Sequence, residues 1–120
     1  MRIRMIATAA SMLVVSGTLM SPVAYSAAHG GMVEEGKKIA FDRRKGNCLG
    51  CHMIEGGQAP GNIGPPLVAM KARFPDKAAL RAQIYDATKR NPATPMPPFG
   101  KHSILTDKEV DLVTEYIHTL

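Results

Sequence analysis

The sequence predicts an all-α domain: about four short helices joined by long loops that wrap one bulky centre. Three observations predict it. Apolar residues recur at helical spacing in at least three segments, and no segment alternates like a strand. The connecting stretches are dense in proline and glycine, too long to pack well unless they enclose something. The chain has 120 residues, no Trp, three Tyr and three Phe. A domain that small, with so little aromatic mass, needs a staple to complete its core.

The N-terminal stretch reads as an export signal rather than as part of the domain. Arg2 and Arg4 form a basic start, and Met5 to Val15 is apolar or small. Ser21-Pro22 breaks any helix, and "AYSAAHGG" offers Ala24/Ser26 or Ser26/Ala28 to a signal peptidase. The apolar run is too short and too interrupted to serve as a membrane anchor. The expectation is a cleaved signal peptide over 1–28, a mature domain over 29–120, and a periplasmic location. Without Arg2 and Arg4 the formal charge of +5 falls to about +3. That mild, scattered excess reads as a solvated face. With so few aromatics it gives no platform for nucleic-acid stacking.

The mature chain then divides as follows. Met32 to about Arg44 reads as a helix, with Val33, Gly36, Ile39 and Ala40 at helical spacing and Glu34 and Glu35 suiting its N-terminal dipole. Gly46-Asn47 ends it. "EGGQAPGNIGPP", Glu55 to Pro66, is a turn-rich loop. Leu67 to Arg73 has room for one or two helical turns. Asp76 is placed as the N-cap of a helix to about Arg90, with Leu80, Ile84 and Ala87 on one face. Asn91-Pro92 stops it. "NPATPMPPFGKHS" holds four prolines and is an extended loop. Thr106-x-x-Glu109 is a capping box. Behind it Val110, Val113, Ile117 and Leu120, with Leu112 and Tyr116 alongside, form an amphipathic C-terminal helix.

The chemistry sits in "NCLGCH". Cys48 and Cys51 are the only cysteines, and His52 follows directly. Cys-x-x-Cys-His is the attachment pattern for haem c. Two thiols one helical turn apart meet the two adjacent vinyl groups of the porphyrin, and the next histidine offers its imidazole to the iron. Other readings are weaker. Zinc needs four ligands, and Cys51 and His52 are too close to share one small ion with Cys48. A thioredoxin-like pair needs a βαβ setting that is absent. A disulfide here would close too short a loop to stabilise much.

With His52 on one side of the iron, the sixth position remains to be assigned. The mature chain offers Met32, Met53, Met70, Met96, His29, His102 and His118. Met53 adjoins the proximal ligand, Met32 precedes the attachment segment, and Met70 reads as packing. Met96 lies between Pro95 and Pro97-Pro98, in a loop stiff enough to hold a weak thioether. It is the preferred ligand; His102 and an open position are the alternatives. Methionine ligation raises the reduction potential relative to a second histidine and leaves no open coordination site, which points to electron transfer. Gly64-Pro65-Pro66-Leu67 reads as a loop returning under the haem, a carbonyl there accepting the His52 Nδ1–H, or else as a plain turn. The expected cofactor-binding set is Cys48, Cys51, His52, Pro65, Leu67 and Met96, with His52 and Met96 on iron, one haem in all, and no catalytic residue.

These residues resemble class I c-type cytochromes over nearly the whole mature chain. "VEEGKKIAF" resembles that family's first helix, "CLGCH" its haem site, "GPPL" its proximal loop and "LTDKEVDLVTEYI" its last helix. The resemblance implies a close crossing of first and last helices, with Gly36 and Tyr116 at the contact. The block from Asp86 through Asn91-Pro92 to Met96-Pro97-Pro98-Phe99-Gly100-Lys101-His102 is more specifically similar to the SoxX family, although the chain is short for it. SoxX proteins are the monohaem subunits of SoxAX, the L-cysteine S-thiosulfotransferase of thiosulfate oxidation. The resemblance implies a heterodimer with a SoxA-like cytochrome, whose active-site haem joins thiosulfate to a cysteine of the SoxYZ carrier. The SoxX subunit takes the released electrons and passes them to a soluble c-type cytochrome, without a bond-making site of its own. It also marks Lys101 and His102, beside the Met96 loop, as candidate partner contacts. The competing expectation is a free-standing periplasmic class I electron shuttle. A haem-based sensor would need the open sixth site.

Overall fold

The computed structural model describes residues 22–120. The basic and apolar parts of the expected signal peptide lie outside the described residues. Four α-helices make up the frame: α1 (Pro22–Phe41), α2 (Met70–Arg73), α3 (Lys77–Tyr85) and α4 (Asp107–Ile117). Single 3₁₀ turns stand at Cys48–Gly50 and Ala87–Lys89, and the described residues contain no strand. No described helix is long and apolar enough to cross a membrane.

α1 is longer at its start than the periodicity predicts, running back through Ala27 and Ala28 to Pro22. It also ends three residues early, at Phe41. Asp42 is the reason: its side chain accepts from the Arg44 amide at 2.8 Å, and its carbonyl takes the Lys45 and Asn47 amides. A short acidic side chain that bonds the backbone ahead of it competes with continued helix.

α4 is the buried helix of the fold. Val110, Leu112, Val113, Tyr116 and Ile117 are all buried, and its capping box is present as expected. α1 crosses it through Val33, Gly36, Ile39 and Ala40, so the expected face is the one used. A methyl group on Gly36 would overlap the Leu112 carbonyl and touch the Tyr116 Cβ. Tyr116 also meets Phe41 edge to face, centroids 6.2 Å apart. The crossing therefore brings backbone against backbone, and only glycine fits there.

Ion pairs fasten α4 to its neighbours. Lys45 pairs with Glu109, Lys77 with Glu115 at 2.7 Å, and Arg81 with Asp111 at 2.5 Å. Glu109 also accepts from the Thr106 amide and hydroxyl at 3.0 and 3.1 Å. The Lys45 ammonium, and after it the Thr106 amide, hold the Glu109 carboxyl at about 2, against an ordinary 4.5. A depressed folded pKa contributes stability that is complete above the unfolded value and disappears as pH falls through the folded one. Replacing Glu109 with Gln is therefore expected to lower the denaturant midpoint by a constant amount at pH 5 to 7. The gap to the parent protein should close between about pH 4.5 and about 2. Denaturant titrations at a series of pH values check this; a gap that persists at the acid end would mean that the carboxylate charge is not what Glu109 contributes.

Candidate functional site

The loop after α1 delivers the two cysteines. Asn47 takes a left-handed conformation (φ 45°), which asparagine tolerates better than most side chains, and turns the chain into the Cys48–Gly50 turn. The Cys51 and His52 amides both donate to the Cys48 carbonyl, at 3.2 and 2.9 Å. That tight turn sets Cys48 and Cys51 one revolution apart, both half-buried and not joined to each other. Burial pushes the Cys48 thiol up to about 11.

The proline-glycine loop wraps this turn and fixes His52. Gly61 N donates to Leu49 O at 2.7 Å, Gly64 N to Cys51 O at 2.8 Å, and Leu67 N to Met53 O at 2.9 Å. The loop thus follows the attachment turn almost residue by residue. His52 Nδ1 donates to the Pro65 carbonyl at 2.7 Å. A carbonyl only accepts, so the proton of the neutral ring sits on Nδ1 and leaves the Nε2 lone pair free, as a metal ligand requires. Gly64 packs against the flat of this imidazole, and a Cβ there would fall on the ring atoms. The expected carbonyl acceptor is therefore Pro65. One residue on, Arg73 Nη1 donates to the Pro66 carbonyl at 2.8 Å and reaches the Met70 sulfur at 3.4 Å.

The loop that carries Met96 is built from short local bonds. Asn91 Oδ1 accepts from the Ala93 amide at 3.1 Å, and the Met96 amide donates to the Thr94 hydroxyl at 3.2 Å. Beyond Pro97-Pro98, Phe99 is buried in the core, and its carbonyl accepts from both Ile104 and Leu105. The chain is thus anchored just past Met96, which stays half-buried.

All of these parts face one cavity of about 320 Å³. Cys48, Cys51, His52, Pro65, Leu67 and Met96 all line it, so the structure brings together every residue of the expected set. Leu80, Ile84 and Phe99 supply the apolar wall. Of the methionines and histidines among the described residues, only His52, Met70 and Met96 reach the cavity. Met70 is 2% exposed and its sulfur faces Arg73, as a packing residue would be. Met53 is exposed, and His118 Nε2 lies 3.1 Å from the Phe74 carbonyl. Among the described residues no three His, Cys, Asp or Glu side chains converge to hold a metal ion by themselves. The donor set fits haem c: two thiols a turn apart, an imidazole with Nε2 free and a thioether, on the walls of one apolar cavity.

Two basic residues of this wall escape the sequence reading. Arg73 and Arg90 both line the cavity, and Arg90 stacks over the Phe74 ring at 5.5 Å. Nothing local in the sequence distinguishes them from solvated bases. Lys101, in contrast, is committed inside the chain. Its ammonium pairs with Asp86 at 3.1 Å, while His102 is exposed.

An uncharacterized lipoprotein of Aquifex aeolicus (strain VF5) is 34% identical over 76 residues, 62% of this chain. The chain spans 37% of that relative's length. Residues 33–120 match the sequence profile of cytochrome c, and the chain belongs to the cytochrome c family, whose members carry covalently bound haem c and transfer electrons.

Proposed function

We propose that this chain is the electron-accepting subunit of a SoxAX-type thiosulfotransferase, with Cys48 and Cys51 as the thioether residues and His52 and Met96 as the iron ligands. The observation that carries the ligand assignment is the shared cavity wall of Cys48, Cys51, His52 and Met96, with Met70 turned to Arg73. The haem, when bound, supplies a one-electron Fe³⁺/Fe²⁺ couple. The protein residues do the rest. Pro65 fixes the tautomer and orientation of His52 through Nδ1. Pro65 and Leu67 close the proximal side. Met96 would offer its thioether to the iron, and such a ligand would raise the potential and keep exogenous ligands out.

The subunit reading is supported by the similarity of the Asp86 to His102 block to SoxX proteins. In that role the chain is exported and trimmed after Ala28 into the periplasm, where it pairs with a SoxA-like cytochrome. It receives the electrons released when thiosulfate is joined to the SoxYZ cysteine. It then reduces a soluble c-type cytochrome. A tagged mature protein, recovered from its native host grown on thiosulfate and run on a gel stained for covalent haem, tests this. The expected result is two haem-positive bands in equal amount, the second from a cytochrome that transfers thiosulfate to a carrier cysteine. A single small haem band overturns the subunit reading and leaves a free-standing electron shuttle.

A further inference from the structure

Asp86 is 3% exposed, one of only two buried polar residues among the described residues, and it lies outside the cavity wall. A buried carboxylate persists only when its charge and lone pairs are matched. Here both oxygens are used. Oδ1 accepts from the Thr88 amide at 3.2 Å and from the Thr88 hydroxyl. Oδ2 faces the Lys101 ammonium at 3.1 Å. Directly beside this pair, the Tyr85 carbonyl accepts the amides of Gly100 and Lys101, at 3.1 and 3.2 Å. Residues 85–86 and 100–101 are thus tied side by side, and the chain between them is a closed loop with Met96 in its span.

The tie has two unequal halves. Asp86 is inside, but the Lys101 side chain is 54% exposed, so solvent reaches the ammonium and the bond opens from that end. Tying both ends of a loop removes most of the conformations in which its middle swings away. The four prolines stiffen the span, but they do not fix where it starts and stops.

We propose that the Asp86–Lys101 pair is a clasp that holds the Met96 loop shut, and that it thereby sets how often Met96 leaves the iron. Asp86 and Lys101 are positioning residues; neither lines the cavity. The proposal rests on the reading of Met96 as the sixth ligand. It assigns Lys101 an intramolecular task in place of a partner contact.

The test uses the mature, haem-loaded protein and its variants Asp86→Asn, Lys101→Met, Lys101→Arg and the double variant Asp86→Asn/Lys101→Met. Three quantities are read: the methionine-to-iron absorption band of the ferric form, the affinity of the ferric iron for imidazole, and the denaturant midpoint. Asp86→Asn and Lys101→Met should each raise imidazole affinity about tenfold, with no further gain in the double variant, because both break one coupling. Lys101→Arg should restore the parent affinity. The denaturant midpoint of Lys101→Met should fall by less than the imidazole response implies, because loop opening is a local event. If Asp86→Asn does not accumulate as a haem protein, Lys101→Met and its Arg counterpart decide the matter. Unchanged imidazole affinity in Lys101→Met, with the methionine band present in the parent, overturns the clasp and leaves the Met96 ligand standing. A parent protein with no methionine band overturns both.

Discussion

Met96→Ala is expected to abolish the methionine-to-iron band of the ferric protein, open its iron to imidazole, and lower its reduction potential. The direction follows from ligand chemistry: a thioether favours ferrous iron, and its loss favours ferric. The size should be on the order of 100 mV, within the roughly 0.8 V range that axial ligands command. The fold should survive. Met96 is half-buried in a loop whose next anchor, Phe99, remains in the core. Met70→Ala is the matched control, since Met70 lines the same cavity and is 2% exposed. Truncating so buried a methionine should cost about 2–5 kcal/mol of stability yet leave the methionine band in place. Optical spectra, a potentiometric titration and a denaturant curve on the two variants separate ligand from packing. If Met96→Ala keeps its band and potential while Met70→Ala loses them, the ligand assignment moves to Met70.

The parts of this site that are legible in the sequence are those whose chemistry is local. Cys48, Cys51 and His52 stand at the spacing the cofactor needs. The Thr106–Glu109 capping box is written within four residues, and the helix behind it forms as its apolar pattern predicts. The four prolines around Met96 announce a stiff loop, and that loop lines the cavity. What the sequence hides are bonds between distant residues and the side chains that cut helices short. The helix expected to run to about Arg90 stops at Tyr85, because Asp86 caps the following turn instead. Asp42 ends α1 in the same way. Asp and Lys fifteen residues apart give no signal of pairing, so Lys101 reads as a candidate partner contact until the fold brings it to Asp86. Arg73 is similar: its bond to the Pro66 carbonyl depends on how α2 docks under the proximal loop.

Gly36→Ala carries the largest effect expected away from the iron. In an exposed helix the same change helps, by roughly 0.5–1 kcal/mol, since alanine loses less entropy on folding than glycine. At Gly36 the added methyl overlaps the Leu112 carbonyl, which is backbone of the buried helix α4 and cannot rotate away. The two helices must therefore separate. Overpacking of that kind costs about 1–3 kcal/mol or more, enough to reverse the sign. The damage should reach the site, because α1 and the attachment turn are continuous through a short tied loop. Gly46 N donates to Ile39 O in α1 at 3.2 Å, and Lys45 pairs with Glu109 of α4. A shifted α1 moves the segment that presents Cys48. Gly31→Ala supplies the reference: it lies on the same helix, and a Cβ there meets nothing within 4 Å. Denaturant midpoints of the haem-loaded proteins should fall for Gly36→Ala and stay level or rise for Gly31→Ala. The yield of covalently attached haem should fall only for the first. Equal midpoints for the two variants would show that the helices tolerate separation at Gly36, and that the crossing of α1 over α4 is not what fixes the attachment turn.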